Sequence, residues 1–138
     1  MKKNWIAIPQ NKRVEYDYQN GWEIEDETIK KENLKLDEFF DLYVKDSSKT
    51  KCIGLSDKEY YELDKLGIWD NLNNISPNAL IDHHEEAEIT NPEELEDVII
   101  FLRKNIDLFS KESNKVILEL IDLIEEALSI GVGVYFFF

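Results

Sequence analysis

The C-terminal quarter of the chain constrains the fold more than any other part. From about Asn114 to Ser129 the polar positions Lys115, Glu119, Asp122, Glu126 and Ser129 form one stripe at helical spacing, and the other faces are dominated by Val, Ile and Leu. A helix this apolar belongs at the centre of a fold. Gly131 ends it, and Val132-Gly133-Val134-Tyr135-Phe136-Phe137-Phe138 follows. That run reads as a strand apolar on both faces, so it needs cover on both sides. Three terminal phenylalanines would be sticky if frayed, so the strand is expected to dock inside a sheet.

Other helices announce themselves by their caps. Asn91-Pro92-Glu93-Glu94 is a helix start, with Asn as cap, Pro at the first helical position and Glu94 placed to close a capping box. Leu95, Val98, Ile99, Leu102, Ile106 and Phe109 then form one apolar stripe, the first member of a C-terminal helical pair. Ser56-Asp57-Lys58-Glu59 fits a capping box, and the helix it opens runs through Leu66 to a stop at Gly67. Leu36, Phe39, Phe40, Tyr43 and Val44 suggest a shorter helix ended by Ser47 to Thr50.

Extended structure is expected near the N-terminus. Trp5 to Ile8 is an apolar run stopped by Pro9, Val14 to Tyr18 alternates with period two, and Trp22 to Ile24 alternates after the Asn20-Gly21 turn signal. Asn71, Asn73, Asn74 and Pro77 predict irregular chain over 68–81, and His84 to Thr90 is a candidate strand. The expected architecture is α+β: N-terminal antiparallel strands, three to four helices including the C-terminal pair, and a buried C-terminal strand. A length of 138 residues suits a single domain, 1–138.

Charge limits the partners. The formal net charge is -14. A polyanion is repelled by nucleic-acid backbones and anionic membranes, so neither is an expected partner. Residues 1–55 hold ten Lys/Arg and eleven Asp/Glu, whereas residues 56–138 hold six and nineteen. The excess peaks between Asp82 and Asp97, where Asp82, Glu85, Glu86, Glu88, Glu93, Glu94, Glu96 and Asp97 occur with no Lys or Arg. One or two acids suffice to complement a helix dipole. The surplus suggests a docking face for a basic protein, formed by Asp82, Glu85, Glu86, Glu88, Glu93, Glu96 and Asp97; an ordinary solvated surface is the plainer alternative. Trp69, in a loop beside acids, could anchor such an interface, with core packing the commoner role of a tryptophan.

Catalytic and metal signals are weak. His83-His84-Glu85-Glu86 offers four ligand types, but adjacent residues diverge in either a strand or a helix, and the HExxH spacing is missing. Cys52 is the lone cysteine, which excludes an internal disulfide and reads as a small core residue. Glu119, Asp122 and Glu126 fit a solvated helix stripe. Gly131-Val132-Gly133 lacks the third glycine of a dinucleotide fingerprint. No catalytic residue, metal site or cofactor is expected. The apolar run before Pro9 is too short for a signal peptide, and no stretch approaches the roughly 20 apolar residues of a membrane span. A cytoplasmic protein is expected.

An acidic α+β domain with no catalytic motif, closing on the helix-then-strand segment Leu128 to Phe138, resembles by type the small bacterial immunity proteins of polymorphic and contact-dependent growth-inhibition toxin systems. No residue role carries over from that resemblance. It implies a non-enzymatic protein that neutralises a cognate toxin, often a basic nuclease, by covering its active site or nearby surface. Two alternatives share the same residues: an acidic adaptor or nucleic-acid mimic that inhibits a DNA-binding protein, and a small metal-dependent enzyme using His83, His84 and neighbouring carboxylates.

Overall fold

The computed structural model describes residues 2–19, 50–83 and 86–138. The described chain is α+β, with a four-stranded antiparallel sheet in the order β2-β1-β4-β3. The strands are β1 (Lys2–Pro9), β2 (Thr50–Ser56), β3 (Glu86–Ile89) and β4 (Val134–Phe137). The helices are α1 (Lys12–Gln19), α2 (Asp57–Lys65), α3 (Ile68–Ile75), α4 (Pro92–Asn105) and α5 (Lys111–Ile130), with a 3-10 turn at Ile106–Leu108 between the last two.

The C-terminal strand is internal, as its composition demands. β4 lies between β1 and β3, with Phe136 opposite Ile6 on one side and Ala87 on the other. Alternation then sorts the two faces. Ile6, Ile8, Leu55, Ile89, Val134 and Phe136 join the main core, into which α5 inserts Ile117, Leu120, Ile121 and Ile124. Each such buried side chain contributes about 1.5–3 kcal/mol. Tyr135 points to the opposite face, where its hydroxyl meets Glu15 and Gln19 of α1.

Local chemistry sets most helix ends. Ser56 accepts from the Glu59 amide (3.2 Å) while the Glu59 carboxylate accepts from the Ser56 amide (3.0 Å), the expected capping box. Asn91 caps α4 by accepting from the Glu93 amide, with Pro92 in the first turn. Glu94 turns away from its expected box and accepts from the Ser76 hydroxyl at 2.6 Å. Helix α5 begins earlier than expected, because Ser110 accepts from the Ser113 amide at 3.2 Å. Gly67 (φ 75) and Gly131 (φ 84) hold the left-handed turns that stop α2 and α5.

Two sequence-based expectations are corrected, and one strand was not anticipated. Val14 to Tyr18, expected as a strand, belongs to α1. The Asn11 carboxamide accepts from the Val14 amide at 3.0 Å, and the period-two pattern is too short to outweigh that cap. Residues 68–81, expected as irregular, begin with α3. An internal Asn costs at most about 0.7 kcal/mol relative to Ala, far less than is gained by burying Ile68, Trp69 and Leu72. Strand β2 begins at Thr50, where the preceding segment was expected to end, and covers 51–55, to which no element was assigned. Its Gly54 has a specific cause: an added Cβ would sit 2.6 Å from the Trp5 ring. The turn at Asn20-Gly21, the strand at Trp22 to Ile24 and the helix from Leu36 to Val44 lie outside the described residues.

Candidate protein interface

The acidic segment runs from the loop after α3, through β3, into the first two turns of α4. Asp82, Glu86, Glu88, Glu93, Glu96 and Asp97 are all exposed. Glu85 lies outside the described residues. Register places Glu86 opposite Phe137 and Glu88 opposite Tyr135, so both project from the sheet face away from the main core. On α4, Leu95, Val98 and Ile99 turn inward and leave Glu93, Glu96 and Asp97 on the solvent side. Among the described residues, the ion pairs join Lys51 to Glu126 and Arg103 to Glu125, and the His83 ring lies beside Asp57. None of the six exposed acids takes part. Burial around the side chain raises the Glu86 carboxyl above its ordinary range, although the residue as a whole is open to solvent.

Trp69 is corrected as an interface anchor: it is 1% exposed. Its indole nitrogen donates to the Tyr60 carbonyl at 3.3 Å, and its ring packs on Tyr60 and Phe138 with centroids 5.6 and 4.9 Å away. Burial, with help from the charges of Asp64, Asp82 and Asp70, pushes the Tyr60 phenol up to about 12.

His83 completes this aromatic corner. It stacks on Tyr60 at 4.6 Å, its Nδ1 lies 3.0 Å from the Tyr61 hydroxyl, and its Nε2 lies 3.6 Å from Asp57 Oδ1. His84 and Glu85 lie outside the described residues, and Glu86 sits on β3. Among the described residues, no three His, Cys, Asp or Glu side chains are placed to hold a metal ion. Cys52 is half-buried on β2. Glu119 and Asp122 are exposed, and Glu126 pairs with Lys51. A groove of about 380 Å³ between α2 and α5 sets Lys58 and Lys115 among Glu59, Glu62, Glu112 and Glu119, a mixture that favours no one ligand charge.

One feature escaped the sequence. Leu80 has φ 52, the only described non-glycine residue in the left-handed region, and it is 69% exposed. A leucine there is disfavoured by roughly 1–2 kcal/mol. Its neighbours enforce the conformation. Ala79 and Ile81 are buried, and the Asn73 carboxamide grips Ile81, donating to its carbonyl at 2.9 Å and accepting from its amide at 2.7 Å. Ser76, 2% exposed, ties the start of the loop to Glu94. Asn or Gly would have signalled such a turn; Leu carries no such signal.

No family model matches the chain, and neither does a curated protein or a solved structure. Among the described residues, no helix is long and apolar enough to cross a membrane.

Proposed function

We propose that this chain is an immunity protein. It binds a basic bacterial toxin domain in the cytoplasm of the producing cell and blocks it by occupancy, with no catalytic step and no cofactor. The observation that carries this reading is the run of six exposed carboxylates, Asp82, Glu86, Glu88, Glu93, Glu96 and Asp97, none of them in an ion pair among the described residues. Such a run repels itself in the free protein, and a cationic surface relieves that repulsion. A nuclease toxin has such a surface, because it must hold phosphate. Charge of this density also accelerates encounter between opposite partners.

The test is co-expression with the product of the reading frame directly upstream, where a toxin gene would sit. The expected results are rescue of growth and a stable complex on size exclusion. The association rate should fall as salt rises from 0.1 M to 1 M, where the Debye length shrinks from about 10 Å to about 3 Å. An upstream product that is toxic, yet neither bound nor neutralised, overturns the proposal.

A further inference from the structure

We infer that Leu80 is the apolar anchor of the partner interface, a side chain held out for insertion into an apolar socket rimmed by Lys or Arg on a basic protein. This deepens the immunity reading and rests on it. Exposed leucines are ordinary on protein surfaces. An exposed leucine at φ 52 is not, because Gly or Asn would meet the same backbone requirement without the steric conflict. The side chain offers little packing in return, being 69% exposed.

The loop is nevertheless built to hold it there. Buried Ala79 and Ile81 pin the backbone on both sides, and Asn73 fixes the Ile81 peptide through both its polar groups. The Ser76–Glu94 hydrogen bond fastens the start of the loop to α4. Strain that is overdetermined in this way is found at ligand clamps and binding sites. A backbone held in place at residue 80 also leaves less loop freedom to be lost on binding.

Charge specifies the partner. Asp82 follows two residues after Leu80, and Asp82, Asp64 and Asp70 all act on the Tyr60 hydroxyl at the same corner of the fold. Glu93 and Glu96 lie close in sequence to Glu94, which the loop grips. An apolar projection two residues from the exposed Asp82 carboxylate complements an apolar socket rimmed by cations, the arrangement of an anchor within a polar rim.

The experiment compares wild type, Leu80→Asn, Leu80→Gly and Leu80→Met by thermal melting and by affinity for the purified upstream product. Asn and Gly tolerate positive φ, so both variants should melt at or above the wild-type temperature. Both should bind at least about tenfold more weakly, while Leu80→Met should bind within about threefold of wild type. Binding within twofold of wild type by the Asn and Gly variants overturns the anchor and leaves the immunity reading standing. Failure of the wild-type protein to bind overturns both. A lower melting temperature in both the Asn and Gly variants would mean that Leu80 serves the fold, which also overturns the proposal.

Discussion

The Glu15 carboxylate accepts a hydrogen bond from the Tyr135 hydroxyl at 3.1 Å, joining α1 to the central strand across 120 residues of sequence. The same carboxylate accepts from the backbone amide of Gly133, just ahead of β4. Gln19, one turn further along α1, donates to the Tyr135 hydroxyl at 3.2 Å. Glu15→Ala removes the acceptor of a buried amide, a loss worth roughly 1–3 kcal/mol. Denaturant titration should show that drop in stability with an unchanged m-value. A variant as stable as wild type would mean that α1 is docked by other contacts.

Asn73 performs the corresponding task on the loop that carries Leu80. Asn73→Ala leaves both polar groups of the Ile81 peptide without their partner, again a penalty of roughly 1–3 kcal/mol. The more specific expectation is local. The Ile81 amide should exchange its hydrogen faster than amides in α5, because the loop opens without global unfolding. A uniform acceleration across the molecule would contradict this.

Tyr60 gives the fold an alkaline limit. Its folded pKa, about 12, exceeds the ordinary 10, chiefly through burial. Between those values the folded protein keeps a proton that the unfolded chain releases. The associated stability is therefore complete below about pH 10 and is lost as pH rises toward 12. Tyr135 acts in the same direction, through burial and the nearby Glu15 charge. Tyr60→Phe should therefore flatten, but not abolish, the fall in melting temperature above about pH 10. An unchanged slope would exclude Tyr60 as a contributor.

What was legible in the sequence was mostly local or compositional. The Ser56/Glu59 box, the Asn91 cap and the Gly131 stop each depend on residues within one helical turn. Strand β4 was legible because an apolar run has few places to go. Strand β2 was not: Lys51 and Gly54 interrupt its pattern, and it is defined by pairing with β1, some 50 residues away. Helix α3 was hidden by asparagines that the tertiary structure uses, Asn71 donating to the Gly67 carbonyl and Asn73 gripping Ile81. At the surface, the acids could be counted, but which tryptophan was buried and which leucine was held out depended on backbone geometry. Glycine at 67 and 131 reported positive φ; leucine at 80 concealed it.

The acidic face can be separated from net charge by moving the same change around the molecule. Reversing Glu86, Glu88 and Glu96 to Lys replaces three negative charges with three positive ones at the proposed face, a net change of about +6. It spares Asn91, which caps α4, and Glu94, which holds Ser76. Exposed charge pairs contribute only about 0–1 kcal/mol each to stability, so the variant should fold. Against a cationic partner, attraction becomes like-charge repulsion costing several kcal/mol, so affinity should fall at least about 100-fold. Reversing Glu112, Glu119 and Asp122, exposed along α5, makes the same change in net charge elsewhere. That control should slow association modestly and leave the dissociation rate near wild type, because long-range steering weakens while the contact survives. Equal losses in both variants would mean that only total charge matters. A bound, fully protective Glu86/Glu88/Glu96 variant would return those carboxylates to the role of ordinary solvated surface.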